Sequence, residues 1–278
     1  ESESDQITTV EDLTGVFESI ASTQVAKTKS KVELSKEFFQ LLWRRYTSIR
    51  IDPRDRITNR TLDNNGRKAV VLISAEAGLS GDIDQRLIEA MLKDYSPEDT
   101  DIIVLGSHGA NQLSQRGINY TRYFQVPESE SYVDVSPVIE AIAPYAGVKV
   151  YYEEYVSLGV QGIKSIDLIS TIRMMSEDSD QDDIITDIDT IFEPSLLQIA
   201  DQMEMMMINL AFSQAILESN LAQNASRFNA MAAAKKRAME LLRYYSLELH
   251  RAKRYEGDRR LREVMISLKR KKRTKRHA

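Results

Sequence analysis

The sequence predicts an α/β domain set, in sequence, between two long terminal helices that pair antiparallel as a coiled-coil shaft. Three observations carry this. After Pro194 the chain runs to its end with no further proline and a single glycine, Gly257. At ~1.5 Å rise per residue, roughly 75 helical residues span on the order of 110 Å, far beyond the roughly three turns usual for a globular helix. A matching stretch at the front, Val16 to Asp52, is also free of glycine and proline. Between the two ends, apolar runs rich in β-branched residues alternate with helical periodicity, the signature of a small parallel or mostly parallel sheet with helices packed on it.

The first helix reads from about Ile7 to Ile51. Val10, Leu13, Phe17 and Ile20 recur at threes and fours and predict one buried stripe. The stripe weakens past Thr23, where Lys27, Lys29, Lys31 and Lys36 precede the apolar cluster Phe38, Phe39, Leu42 and Trp43. So thin an apolar face needs a partner helix or a surrounding sleeve. Asp52-Pro53 stops the helix, because a residue before proline is pushed out of helical angles. KAVVLIS (Lys68 to Ser74) is a continuous apolar run, as in a strand buried on both faces. Gly78 and Gly81 follow, then a helical stretch from Asp84 to Leu92. TDIIVLG (Thr100 to Gly106) predicts a second strand followed by a glycine-containing loop, Val138 to Tyr145 a helix, and VKVYYEEYV (Val148 to Val156) a third strand.

The acidic stretch from Glu177 to Asp189 is expected to be a solvated loop, and Ile191 to Pro194 leads into the last helix, with Ser195 in its first turn. Leu196, Ile199, Met203, Met206, Leu210, Leu217, Leu221, Phe228, Leu242, Tyr245 and Leu249 keep a heptad-compatible stripe, with recurrent alanines that let two helices approach closely. The methionines from Met203 to Met207 read as core filler. The resulting segments are 1–56 (first shaft helix), 67–175 (α/β domain), 176–193 (acidic loop), 194–268 (second shaft helix) and 269–278 (basic tail).

Composition narrows the functions. The 278 residues are 42% hydrophobic, enough for a core, and include no cysteine. Disulfides, thiolate metal sites and a cysteine nucleophile are thereby excluded. No apolar run approaches the roughly 20 residues that span a bilayer, and the acidic start ESESDQ is unlike a secretory leader. The net charge of −5 hides an asymmetry, since base collects in Lys27 to Arg56 and from Arg227 onward. Basic segments of this density imply acidic partners.

The loop Ala77-Gly78-Leu79-Ser80-Gly81, between a strand and a helix, could cradle a phosphate through its N–H groups. It lacks the Walker lysine and the GxGxxG spacing, and a tight turn accounts for both glycines. Gly106-Ser107-His108-Gly109 reads as a surface turn rather than a serine–histidine site. The three histidines, His108, His250 and His277, are scattered, and the acidic run lacks the glycine of a calcium loop, so no metal and no cofactor is expected. Lys235, Lys236, Arg237, Arg243, Arg251, Lys253, Arg254, Arg259 and Arg262 cover several faces of one helix. Such a helix repels itself unless something acidic surrounds it. The tail Lys269 to Arg276 has no interleaved aromatic and no recognition module for nucleic acid.

Several of these segments, in order, resemble the gamma subunit of F-type ATP synthases. SIASTQVAKTKSKV (Ser19 to Val32) is similar to the family's SIKNTQKITKAMKMV, and SAEAGLSGDID (Ser74 to Asp84) to SDRGLCGGLN. FEPS (Phe192 to Ser195) matches the segment before the family's last helix, and LESNLAQNASRFNAM (Leu217 to Met231) is similar to LESKASEHAARMVAM. Arg251 to Lys253 and Glu263-Val264 fall where the family has RAR and the glutamate of its closing EIV. There are departures: Ala75, Glu76, Ser80 and Asp82 replace the aspartate, arginine, cysteine and second glycine of the loop, Glu33 and Leu34 the small apolar residues after KMV, and Arg260 a glutamate. The end, SLKRKKRTKRHA, also runs past the usual terminus.

The resemblance implies a Rossmann-like α/β domain and a non-catalytic rotor role. Rotation of the shaft would couple ATP synthesis or hydrolysis in a surrounding hexamer to proton or other ion transport. The implied partners are the catalytic and non-catalytic subunits of the hexamer, a small epsilon-type stalk subunit and the membrane c-ring, with no direct nucleotide or nucleic-acid binding. The implied torque surface comprises Lys27, Lys29, Lys31, Lys235, Lys236, Arg237, Arg251, Lys253, Arg254, Arg260 and Glu263. The implied location is peripheral, on the cytoplasmic face of a bacterial plasma membrane, with a mitochondrial matrix face left open. From the residues alone, a small α/β nucleotide-binding enzyme with helical arms, or a helical scaffold or nucleic-acid-binding protein using the basic tail, stays open beside it.

Overall fold

The computed structural model describes residues 2–48, 66–126, 134–167 and 195–274. The first helix, α1, covers Ser2–Ser48. Strand β1 (Lys68–Ile73) leads through the glycine loop to α2 (Ile83–Leu92) and β2 (Thr100–Leu105). Then come α3 (Ser107–Gln115), β3 (Arg122–Phe124), α4 (Ser136–Ile142), β4 (Gly147–Ser157) and β5 (Val160–Asp167). The last helix, α5, runs unbroken over 79 residues, Leu196–Thr274. Ser195 precedes it as a cap, its Oγ accepting from the Gln198 N–H at 3.4 Å. The expected stop at Asp52-Pro53, the acidic loop and residues 275–278 of the basic tail lie outside the described residues.

The chain forms two units, Ser19–Ala230 and the pairing of Glu1–Glu18 with Met231–Ala278. The first holds a five-stranded sheet in the order β3-β2-β1-β4-β5. Strand β1 pairs parallel with both β2 and β4, with Val71 opposite Ile103 on one side and Val150 on the other. Strand β5 returns antiparallel to β4, Glu153 facing Ile163. Both faces of the central strands are buried, which is why they read as continuous apolar runs. Ala69, Val71 and Ile73 point to a layer made by α4 and α5, where Phe212, Ala215 and Ile216 pack with Val138 and Ile142. Val70 and Leu72 point to the other layer, under Leu87, Ile88 and Met91 of α2 and Leu113 of α3.

Within the same unit α1 lies antiparallel to α5. Lys36 pairs with Glu218 at 3.7 Å, and one turn after another Tyr46 reaches the earlier Glu204, its hydroxyl donating at 2.5 Å. Phe39, Leu42, Trp43 and Met203 surround the buried Tyr46, Ala200 and Met207. Met207 is thus core, as expected, whereas Met205 and Met206 face outward. Phe38 is exposed too.

The second unit corrects the predicted stripe on α1. Val10, Leu13 and Phe17 are 50%, 53% and 38% exposed, and Ile20, just inside the other unit, is 51% exposed. Along that stretch the buried positions are instead Thr14 and, in the first unit, Ala21. A single partner helix covers only the narrow side where small residues let it approach. At Gly15 an added Cβ would meet the Lys235 side chain at 3.5 Å, and Lys235 Nζ pairs with Glu18 at 3.3 Å. The broad apolar side is left outward. On α5, Leu241, Tyr244, Leu247, Tyr255, Leu261 and Met265 are likewise exposed. No helix among the described residues is long and apolar enough to cross a membrane.

Three elements escape the sequence reading. Strand β3 is three residues long, β5 is a polar edge strand with Gly162 inside it, and α3 buries only Gly109, Ala110 and Leu113.

The contrast predicts separable effects. Phe212→Ala removes a wholly buried ring and lowers unfolding stability in urea by about 3–5 kcal/mol. Leu247→Ala, on an exposed face, shifts the isolated chain by no more than about 0.5 kcal/mol.

Candidate functional site

The polar groups of the first unit converge where the glycine loop, the end of β4 and the middle of α5 meet. The loop leaves β1 at Ser74 and turns through Leu79 and Gly81, both at positive φ (67° and 72°). Its neighbour Gly106, at φ 97°, marks the correction to the expected surface turn: Gly106 to Gly109 open α3, with Gly109 buried. A Cβ on Gly106 would stand 2.2 Å from the Ser74 carbonyl oxygen, and one on Gly109 2.3 Å from Ser74 Oγ. Only glycine permits that approach. Ser74 Oγ donates to the Leu105 carbonyl at 2.8 Å and accepts from the Gly109 N–H at 3.1 Å, tying β1, β2 and α3 together.

Two acids of the chain occupy the places a bound anion would take. Asp84, wholly buried in the first turn of α2, accepts from the Ala75 N–H, from Ser80 Oγ and from His108 Nδ1, each at 2.9 Å. Glu76 accepts from the Ser107 N–H at the start of α3 at 3.2 Å and from the Val126 N–H at 2.6 Å. The start of α3 is therefore occupied by the Glu76 carboxylate, and the buried Asp84 puts a second acid in the first turn of α2, where an anion would be repelled. Burial, and Glu76 after it, holds the Tyr123 phenol above its ordinary range.

The same geometry disposes of the serine–histidine reading. Ser80 and His108 both bond to the carboxylate of Asp84, which sits between them. Nucleophile activation needs the imidazole between hydroxyl and acid. Ser107 Oγ is turned away, donating to the Glu76 carbonyl at 2.6 Å. No group of three or more metal-ligating side chains occurs among the described residues.

Helix α5 closes the site with one polar face. Ser219 Oγ donates to Glu153 of β4 and lies 3.3 Å from the Ile73 carbonyl. Gln223 Nε2 donates to the same Glu153 oxygen at 2.9 Å. Ser226 Oγ donates to the Ser80 carbonyl at 2.6 Å. Arg227 reaches the loop with Nε on the Gly78 carbonyl at 3.3 Å and Nη2 on the Ala77 carbonyl at 3.1 Å, while Nη1 bonds Asn224 at 2.7 Å. Burial pulls the Arg227 guanidinium down in pKa, and Asp84 opposes this. Two residues on, Asn229 Nδ2 donates to the Leu158 carbonyl in the β4–β5 turn at 2.6 Å. Beside these contacts an open groove of about 460 Å³ is lined by Gly81, Arg86, Gly159 and Asn229 among others, with Arg86 committed to the Gln161 carbonyl at 3.0 Å.

This is a mechanical joint: serines, an amide and a guanidinium on one helix capture carbonyls and a carboxyl of the sheet domain. None of these α5 residues belongs to the candidate set read from the sequence. The available signal was in LESNLAQNASRFNAM, where Gln223 and Ser226 stand in place of E and A of the family pattern. The candidates themselves lie elsewhere. Lys27 and Lys29 are exposed and Lys31 half-buried on α1 in the first unit. Lys235 to Glu263 belong to the second unit. There Lys236, Arg237, Lys253 and Arg254 are exposed, Arg251 pairs with Glu248 at 3.0 Å, Arg260 with Glu256 at 2.6 Å, and Glu263 with Arg259 at 3.4 Å. Part of the expected self-repulsion is thus relieved within the helix by pairs three or four residues apart.

Comparison with known proteins follows the same outline. The model of the ATP synthase family matches residues 3–265. The chain is 24% identical to the ATP synthase gamma chain of Chlorobium phaeobacteroides, over 93% of each chain. It is 23% identical to that of Cytophaga hutchinsonii, over 72% of each. Its fold is similar to a chain of the central stalk and c-ring structure of the Tetrahymena thermophila mitochondrial ATP synthase, at TM-score 0.58 and 15% identity, covering 80% of this chain and 99% of that one. A chain of the Euglena gracilis mitochondrial ATP synthase rotor gives TM-score 0.58 at 14% identity, covering 91% and 98%.

The joint makes a definite demand on Arg227. Arg227→Ala leaves the Ala77 and Gly78 carbonyls without their donor and lowers urea stability by about 2–3 kcal/mol. Arg227→Lys recovers less than half of that loss, because a single ammonium cannot span the fork.

Proposed function

The chain belongs to the ATP synthase family, and we propose that it is the central-stalk rotor (gamma) subunit of an F-type ATP synthase or ATPase, itself without a catalytic site. The observation that carries this reading is the family match over residues 3–265, which takes in both terminal helices and the sheet domain between them. The gamma-chain names of its curated relatives, and the rotor and central-stalk structures that share its fold, support the same role. In this reading residues 1–56 and 194–268 form the shaft, 67–175 the α/β domain, 176–193 an acidic loop and 269–278 a basic tail.

Physical chemistry agrees with a rotor. A 79-residue helix is a long, stiff element. The outward apolar side chains of α1 and α5, from Leu13 to Leu261, cost less in a sleeve of other subunits than in water. Basic residues interleaved with them meet acidic surfaces across such a sleeve. We assign the torque contacts to Lys27, Lys29, Lys31, Lys235, Lys236, Arg237, Arg251, Lys253, Arg254, Arg260 and Glu263. The partners are then the catalytic and non-catalytic subunits of the hexamer, an epsilon-type stalk subunit and the membrane c-ring. ATP turnover on the other subunits drives, or is driven by, rotation of this one, on the cytoplasmic face of a bacterial membrane. An α/β nucleotide-binding enzyme gains no support, since the buried Asp84 bonds Ser80 inside the glycine loop and Glu76 takes the Ser107 N–H that opens α3.

Two measurements check the reading. Purified from its native cells by a tag, the protein brings down two homologous nucleotide-binding subunits in excess, with ATPase activity in the eluate. Emergence alone or with nucleic acid contradicts the rotor role. Replacing Lys235, Lys236 and Arg237 together by alanine lowers torque in the complex, while the isolated chain loses about 1 kcal/mol or less, the worth of the single Lys235–Glu18 surface pair. Unchanged torque removes these three from the contact set.

A further inference from the structure

Glu153 stands in the middle of β4 with a relative exposure of 0%. Its Oε2 accepts two hydrogen bonds, from Ser219 Oγ and from Gln223 Nε2, both on α5. Its Oε1 has no hydrogen-bond partner among the described residues. An ionised carboxylate offers about four acceptor positions and demands donors or a cation for them. Among the described residues, charged side chains of the surrounding helices are committed to other groups. From α2 the buried Asp84 faces it with a like charge. His108 of α3 is bonded to Asp84, the Arg227 guanidinium of α5 to the loop carbonyls, and Lys36 of α1 to Glu218. Full burial, a bare second oxygen and a neighbouring buried acid suit a neutral carboxylic acid, whose charge would be costly here even with two donors on the first oxygen.

We propose that Glu153 carries a proton in the folded protein and is the positioning residue of the β4–α5 joint, fixing α5 on the sheet while neutral and loosening it when ionised. This goes beyond the rotor reading and does not depend on it. Burial first, and Asp84 second, hold the carboxyl well above the usual glutamate range, against the opposing effect of the Ser219 and Gln223 bonds. The folded state then binds a proton that the unfolded chain has released. The sign follows: the group's contribution is most favourable below the unfolded value near 4.5 and is lost progressively as pH rises toward the folded value.

The test is urea unfolding of the full chain between pH 5 and pH 9, unaltered and as Glu153→Gln, an uncharged mimic of the acid. The folding constant of the unaltered chain should fall relative to that of the variant, by up to about tenfold per pH unit while one proton is at stake. Parallel pH profiles overturn the proposal. If Glu153→Gln does not fold, infrared spectra of the unaltered chain and of Ser219→Ala at pH 7 decide. A carboxylic-acid C=O band that shifts on loss of the Ser219 donor supports the neutral acid, and a band that is absent or unmoved overturns it.

Discussion

Register is what the part of α5 that crosses the sheet needs, and the polar face from Ser219 to Arg227 supplies it. Apolar contact through Phe212, Ala215 and Ile216 gives adhesion, but greasy surfaces tolerate a slip of one turn at modest cost. Carbonyls do not. Arg227 must find the Ala77 and Gly78 oxygens, Ser226 the Ser80 oxygen and Gln223 the Glu153 carboxyl, and one register satisfies all of them. The glycine loop is shaped for this capture. Asp84 holds the Ala75 N–H where the loop begins, Glu76 ties it to the start of α3 through the Ser107 N–H, and the Ala77, Gly78 and Ser80 carbonyls are taken up by α5. Buried polar networks of this kind specify position more than they add stability.

Burial divides along the chain in the way a rotor would require. The sheet unit is closed on both faces, with wholly buried residues in each layer. In the unit of residues 1–18 and 231–278, the helices meet through Thr14, Gly15 and Ala238, small side chains that make a narrow seam. The larger apolar groups there face outward together with lysines and arginines. Such a surface is mixed rather than greasy, which suits repeated contact with changing neighbours better than permanent burial.

Much of the fold was legible because its strongest signals are physical. Strands β1, β2 and β4 are buried on both faces and must be continuously apolar, and the two long helices contain no proline and one glycine each, Gly15 and Gly257. Strand β5 was hidden because an edge strand half in water can carry Gln161, Lys164 and Asp167. Helix α3 was hidden because its buried face is Gly109, Ala110 and Leu113, with glycine needed where Ser74 presses in, and one large apolar residue makes no hydrophobic period. The stripe of Val10, Leu13 and Phe17 was read correctly as a stripe and wrongly as buried, since periodicity gives a face without saying what covers it. The joint was the least visible. Ser219, Gln223, Ser226 and Arg227 have the spacing and chemistry of a solvated helix surface, and Glu153 sits in YYEEYV beside the more exposed Glu154. Their burial depends on which element crosses them, a long-range fact that local pattern does not carry.

Rotation is the property from which the rest of the functional reading descends, and it can be watched. The chain has no cysteine, so Ser165→Cys on the exposed side of β5 gives a single attachment point on the sheet domain for a bead or rod. With the assembled ATPase held to glass through its hexamer, a rotor subunit turns that marker in one direction when ATP is supplied and stops when ATP is withdrawn. Steady ATP hydrolysis with a marker that only fluctuates in place would contradict the rotor role.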